Sequence, residues 1–208
     1  GGTAYGYTTG GYTPTIINEI QRFSFTTNGN ATDIANLTTT TYYCAGQSST
    51  SHGYNTGGYS GGYLDRIDKF TFSSIANATD VGNLTVAREG LSGQSSSTHG
   101  YTSGGHDGSG AISSIDQYSF ASDNQGVSYT TMTATSFYFC GHSSSTHGYS
   151  SGGDYSTGTN IIERFSFSST ATSSDHGVLS TSRYGCAGNS SITNGYTSGG
   201  ASSSGDRN

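Results

Sequence analysis

Tryptophan is absent from the 208-residue chain, and proline, methionine and lysine occur once each, the lysine being Lys69. Charge is scarce as well: Lys+Arg is 7 and Asp+Glu is 13, only 10% of the residues together, for a formal net charge of −6. So few cations exclude a nucleic-acid binder held by phosphate contacts. Leu, Ile, Val and Phe fill only 29 of the 208 positions. A share that low signals disorder only when high net charge goes with it, and here 16 Tyr and 9 Phe supply bulky apolar surface instead. No run approaches the ~20 apolar residues of a membrane span, so no membrane insertion is expected. Nor is there helical periodicity long enough to build a bundle. No basic-then-apolar leader opens the sequence, and Gly1 in place of Met reads as a processed product, a fragment or part of something longer. Cys44, Cys140 and Cys186 are odd in number and widely spaced, which suits neither a disulfide framework nor a Cys-x-x-Cys metal site. They read as small buried apolar residues.

What the chain has in quantity is glycine, 33 residues of it, and much of that is in register. The string Gly-Tyr-x-x-Gly-Gly begins at Gly6, Gly53, Gly100, Gly148 and Gly195, at spacings of 47, 47, 48 and 47 residues. Upstream of four copies lies a Ser-rich run: Gln47 to His52, Gln94 to His99, His142 to His147 and Asn189 to Asn194. Downstream comes Ile-x-x-Phe/Tyr-Ser/Thr-Phe, as Ile20-Phe23-Phe25, Ile67-Phe70-Phe72, Ile115-Tyr118-Phe120 and Ile162-Phe165-Phe167. A Thr/Asn/Asp segment with Leu37, Leu84 or Leu179 follows, and in two units an arginine, Arg88 or Arg183. The chain therefore reads as one repeat domain over residues 1–208, with units 6–52, 53–99, 100–147 and 148–194 and a partial fifth, 195–208. Each unit offers four short β-compatible runs between turn residues. In the clearest stretch they are about Ala78 to Val86, Leu91 to Ser96, Gly100 to Ser103 and Ile115 to Phe120. Four strands per unit of 40 to 50 residues is the arithmetic of a β-propeller blade, in an all-β fold.

These residues resemble the kelch-type β-propeller. The double glycine, the Ile-x-x-aromatic strand, and Arg88 and Arg183, each 16 residues ahead of Gly104 and Gly199, match that family's spacing over essentially the whole chain. The family's fourth-strand Trp is missing, with small residues near Ala31 and Ala78 in its place, so thinner blades packed through Tyr and Phe are expected. The form Ser-Ser-Ser-Thr-His-Gly-Tyr-x-Ser-Gly-Gly also resembles repeats of marine bacteriophage virion and fibre proteins. The surplus second-strand motif at Gly195 points to an array continuing as a larger ring. A four-bladed ring with a redundant tail, or an open array completed by other subunits, are the alternatives.

Candidate site residues follow the repeat. His52, His99 and His147 precede Gly-Tyr, and Asn194 stands at the same place in the fourth copy. Equivalent positions on successive blades are radially separated, whereas a shared ion needs donors ~2 Å from it, so hydrogen bonding in the turn is expected and no metal site. Tyr7, Tyr54, Tyr101, Tyr149 and Tyr196 either pack beside the double glycine or form a face that stacks on sugars. On the second reading Tyr54, Tyr101, Tyr149 and Tyr196, with the three histidines, form the ligand face. Asp65, Asp68, Asp80 and Asp116 read as solvated charges of turns and exposed strand faces. Asn30, Asn36, Asn77, Asn83 and Asn189 are glycosylation sequons, usable only after secretion. No Gly-x-Ser-x-Gly elbow occurs. Some kelch-like propellers are copper oxidases using Tyr, His and a Cys–Tyr crosslink, but the repeat accounts for each such residue here. No catalytic residue and no cofactor are expected. The resulting expectation is a non-enzymatic structural and adhesive module of a virion or an extracellular assembly. Its partners would be other subunits of that assembly and cell-surface glycans bound weakly at several blades. A protein-binding propeller of a cellular or secreted protein is the alternative.

Overall fold

The computed structural model describes residues 4–154, 158–202 and 205–206. Residues 203–204 and 207–208 of the partial fifth unit lie outside the described residues. The described chain is all-β, with antiparallel sheets in which each strand pairs with its sequence neighbour. The first sheet is β1 (Tyr5–Thr13), β2 (Thr15–Ser24) and β3 (Thr32–Asn36). The second is β4 (Ala45–Ser48), β5 (His52–Thr56), β6 (Arg66–Thr71) and β7 (Thr79–Asn83). The third is β8 (Ser92–Ser95), β9 (His99–Ser103), β10 (Ser114–Ser119) and β11 (Val127–Thr131). The fourth is β12 (Cys140–Ser143), β13 (His147–Ser151), β14 (Thr159–Ser166) and β15 (Ser174–Arg183). Two hairpins follow, β16 (Ala187–Ser190) with β17 (Gly195–Ser198), and β18 (Ala201–Ser202) with β19 (Gly205–Asp206). The four runs expected around the third sheet coincide with β7, β8, β9 and β10 to within a few residues at each end.

The recurring string has a steric cause. Its first glycine lies under an aromatic ring of the adjacent strand. A Cβ on Gly6, Gly53, Gly100 or Gly148 would land on the ring of Phe23, Phe70, Tyr118 or Phe165. The double glycine turns the chain out of the strand through two residues of positive φ, for example 61° at Gly57 and 104° at Gly58, where a side chain would be strained. After the Ile of each third strand comes a break in register with the fourth, at Ile20/Gln21, Ile67/Asp68, Ile115/Asp116 and Ile162/Glu163. Such a bulge re-aims the residues on either side of it. Ile20, Ile67 and Ile115 are fully buried facing the following sheet. In the second, third and fourth sheets the residue after the Ile, Asp68, Asp116 or Glu163, turns toward the preceding sheet and meets partners there.

Three apolar layers result. One lies between the first and second sheets (Ile20, Leu37, Phe70), one between the second and third (Tyr54, Ile67, Leu84, Tyr118), and one between the third and fourth (Tyr101, Ile115, Met132, Phe165). The first strands β4, β8, β12 and β16 run against one another through glycines. A Cβ on Gly93, Gly141 or Gly188 would strike the carbonyl oxygen of Gly46, Gly93 or Gly141 respectively. Hydrogen bonds continue the contact: Ser48 N–H donates to Ser95 Oγ at 3.0 Å, Ser95 N–H to Ser143 Oγ at 2.9 Å and Ser143 N–H to Ser190 Oγ at 3.0 Å.

The sheets are offset from the sequence units. Unit 6–52 supplies β1, β2 and β3 to the first sheet and β4 to the second. Among the described residues the first sheet has three strands and the β16–β17 sheet has two. Among these residues no pairing joins β1 to β16 or β17, and no closed ring is detected.

Candidate functional site

The three histidines sit where strand meets turn. His52, His99 and His147 each pair through Nδ1 with the preceding hydroxyl, of Ser51, Thr98 or Thr146, at 2.8 Å. Their backbone N–H groups donate at 3.0 Å to Ser49, Ser96 and Ser144, three residues upstream. Burial lowers the pKa of all three, with Lys69 adding to the effect at His52, and Arg164 and His176 at His147. In the fourth copy Asn194 Nδ2 donates to the preceding Thr193 hydroxyl at 3.2 Å.

The tyrosines separate into two groups. Tyr54 and Tyr101 are 3% and 1% exposed, sandwiched between sheets, so the expectation that they present a ligand face is corrected. The stacking of the next sheet covers them: Tyr54 lies 4.9 Å from Phe120 and Tyr101 4.7 Å from Phe167, centroid to centroid, in stacked geometry. Tyr149 is half-buried and Tyr196 is 56% exposed.

The aspartates also need correction. Asp80 is exposed and Asp65 half-buried, but Asp68 and Asp116 are 2% and 0% exposed rather than solvated. The bulge points each into the preceding sheet. There the Asp68 carboxylate accepts from Thr38 N–H at 2.9 Å and from its hydroxyl. Asp116 accepts likewise from Thr85, at 2.8 Å from both groups. Glu163 repeats the pattern with Thr133 N–H at 3.0 Å. Arg88, fully buried, reaches Asp116 at 3.2 Å and donates to the Thr102 carbonyl at 3.2 Å. Burial lowers the pKa of Arg88 and the nearby Asp116 charge opposes that shift. These are clamps between sheets. A carboxylate directly after the core Ile was the signal for them in the sequence.

A second cluster that the sequence did not expose joins two cysteines. Cys140 Sγ and Cys186 Sγ are 3.2 Å apart, and Cys140 Sγ is 3.5 Å from His142 Nε2 and 3.2 Å from Ser151 Oγ. The hydrogen bond from Cys186 lowers the Cys140 pKa most, against its burial, with His142 and Ser151 assisting. The Cys186 thiol is correspondingly pushed up. Burial opposes charge on His142, yet the hydrogen bond and charge of Cys140 lift its pKa above the ordinary value. Cys44, by contrast, is pushed up to about 11 by burial. Among the described residues no three His, Cys, Asp or Glu side chains are placed to hold a metal ion.

One accessible concavity runs along the first strands. It is a cleft of about 490 Å³ lined by Gln47, Ser48, Ser95, Ser143 and Ser190 among others, with no Asp, Glu, Lys or Arg. Its deeper polar groups are engaged: the Gln47 amide donates to the Tyr101 carbonyl at 3.0 Å and the Thr56 hydroxyl at 3.1 Å. A separate opening of about 370 Å³ lies between the fourth sheet and β16–β17, walled by Tyr149, Ile162 and Leu179. Of the sequons, Asn30, Asn77 and Asn189 are exposed, and Asn36 and Asn83 half-buried at the ends of β3 and β7. No family model matches the chain, and a search of curated proteins finds no match.

Proposed function

We propose that this chain is a segment of a kelch-type β-propeller and serves as a non-enzymatic structural and adhesive module of a virion or another extracellular assembly. The observation that carries the reading is how the repeated chemistry is spent. The aromatic rings, carboxylates and first-strand glycines of successive units are engaged in joining one sheet to the next. What remains facing solvent along the first strands is a cleft lined by amides, hydroxyls, glycine backbone and the rings of Tyr7, Tyr54, Phe70, Phe72 and His142, with no Asp, Glu, Lys or Arg. Such a surface attracts little through charge. It suits weak recognition of glycan hydroxyls at several equivalent places, where avidity supplies the strength. The propeller reading is supported by four-stranded consecutive sheets stacked through their first strands, and by Arg88 and Arg183, which donate to the carbonyls of Thr102 and Gly199 in the following Gly-Tyr-x-x-Gly-Gly motif. Partners on this reading are neighbouring structural subunits and cell-surface glycans.

The test is capture by glycans displayed at high and at low density on a surface. Binding that appears only at high density, and that the matching free monosaccharide competes poorly, is the expected result. Turnover of any displayed glycan, or tight one-to-one capture of a single charged ligand, would overturn it.

A further inference from the structure

Tyr43 and Tyr138 hold a backbone conformation that bulky residues seldom adopt, with φ of 54° and 58°. Each stands two residues ahead of a first strand, β4 or β12. Gly90 and Gly185 hold the same place ahead of β8 and β16, with φ of 65° and 62°. The conformation recurs because it carries a ladder from unit to unit. Gly90 N–H donates to the Tyr43 carbonyl at 2.8 Å, Tyr138 N–H to that of Gly90 at 2.7 Å, and Gly185 N–H to that of Tyr138 at 2.7 Å. Glycine serves such a ladder without strain. Two units carry tyrosine there instead, and backbone strain of this kind collects at ligand sites.

The two strained tyrosines meet. Their rings lie 4.7 Å apart, on either side of Gly90, where a Cβ would stand 2.9 Å from Tyr138 Cδ1. From this contact a circuit of rings closes. Tyr43 lies 4.5 Å from Tyr42, Tyr42 5.8 Å from Tyr59, and Tyr59 5.3 Å from Tyr63. His106 lies 5.8 Å from Tyr63 and 5.4 Å from Phe137, which returns to Tyr138 at 4.9 Å. Neighbouring planes are turned by 34° to 86°, so the rings stand as walls and not as a stacking platform. Tyr43 is 50% exposed and the other rings are half-buried. Concavities open beside Tyr42 and Tyr43, about 500 Å³, and beside Tyr43 and Tyr138, about 390 Å³. All of these residues belong to the first three units.

One carboxylate serves the circuit. Glu89 accepts from the Tyr138 hydroxyl at 3.2 Å, and its backbone bridges to that of His106. Burial first, and then the Glu89 charge, raises the pKa of Tyr42 and of Tyr63, and Asp107 adds a second negative charge at Tyr63. Among the described residues no lysine, arginine or histidine forms an ion pair with Glu89, and the adjacent Arg88 is turned to Asp116.

We propose that this circuit of rings around Glu89 binds a quaternary ammonium group. The methyl groups of such a cation spread its charge and lie against ring faces, whose quadrupoles attract it. Glu89 supplies the counter-charge. A phosphate beside the cation would face Glu89 and Asp107, so the group is one carried on an uncharged or cationic molecule. The site shares no residue with the first-strand cleft and goes beyond the adhesive reading, so either can fail alone.

The experiment is an amide chemical-shift titration of the isotope-labelled 208-residue chain with choline, and with the uncharged alcohol in which carbon replaces its nitrogen. Choline is expected to shift the amides of Tyr42, Tyr43, Glu89 and Tyr138, and to bind ~10-fold more tightly than the alcohol. Phosphocholine should bind more weakly than choline. Y43G installs the residue that Gly90 and Gly185 already hold at this place, so it keeps the backbone and loses one wall. E89Q keeps the shape and loses the charge. Each is expected to weaken choline binding ~10-fold, while Y43F, which keeps the ring, binds as wild type does. E89Q carries the test even if Y43G fails to fold. Equal affinity for choline and the alcohol overturns the proposal, as does choline binding that E89Q leaves unchanged. Tighter binding of phosphocholine overturns it too, as does a neutral disaccharide that shifts these amides where choline does not.

Discussion

Cys140 Sγ lies 3.2 Å from Cys186 Sγ although 46 residues separate the two in sequence. Cys140 belongs to β12 and Cys186 lies one residue before β16, so a bond between them would tie the fourth sheet to the terminal hairpin. Treatment with diamide is expected to join them: each thiol gives up one proton and one electron, and the diamide is reduced to its hydrazine. Intact mass should fall by about 2 Da and thiol titration should drop from three to one, leaving Cys44. Closing a loop of this length stabilises by about 4 kcal/mol in the chain-entropy model. The melting temperature should rise in wild type and not in C140S. An unchanged thiol count after oxidation would show that the pair does not close.

Gly93→Ala and Gly46→Ala make the same change at the same place in two units. At Gly93 the new methyl strikes the Gly46 backbone, and at Gly46 it meets nothing within 4 Å. Overpacking of this kind costs about 1–3 kcal/mol, so the first is expected to lower stability by that much in urea unfolding. The second should lie within about 0.5 kcal/mol of wild type, as surface changes do. Equal costs would mean that the inner strands are not in contact.

Asp116→Asn removes the counter-ion of a fully buried arginine. Arg88 and Asp116 are both 0% exposed, and breaking such a pair costs about 3–5 kcal/mol because the remaining charge is left buried. Asp80→Asn breaks an exposed bridge to Arg66, 2.9 Å long, and is expected to cost about 0–1 kcal/mol. Chemical denaturation of the two variants side by side checks the contrast.

His52, His99 and His147 predict how stability responds to acid. Their folded pKa values lie below the ordinary 6.5, so on acidification the unfolded chain takes up their protons first. Their contribution is complete above pH 6.5 and is lost as the pH falls from there through the lower folded values. His142, lifted above its ordinary value, works in the opposite sense. The triple His→Asn variant copies the residue already at Asn194. Its melting temperature should depend less steeply on pH between about 5 and 7 than that of wild type, as scanning calorimetry would show.

Much of this molecule could be read directly from the sequence. Ile67, Phe70 and Phe72 mark a third strand because their spacing combines a buried face with turn residues on both sides. The five glycine strings mark the hairpin ends because only glycine takes two successive positive-φ positions without strain. What escaped reading depends on contacts between sheets. Asp68 and Asp116 look solvated until the bulge beside each Ile swings them onto Thr38 and Thr85, about thirty residues away. Gly46, Gly93, Gly141 and Gly188 look like ordinary members of polar runs, and only the approach of a neighbouring backbone shows what they are for. Tyr54 and Tyr149 occupy one repeat position, yet one is core and the other half-open. Position in the stack decides that, and no local pattern carries it.

The offset between units and sheets has a consequence for how such a chain can change over time. Removing residues 53–99 would bring His52 next to Gly100, the same peptide junction that His99 already makes. β4 would then lead into β9 as it now leads into β5, and both end surfaces would survive intact. Unequal recombination between copies of the gene could lengthen or shorten the stack by whole units without creating a foreign interface. Copy number is therefore a quantity this architecture leaves free, while the residues at each junction stay fixed.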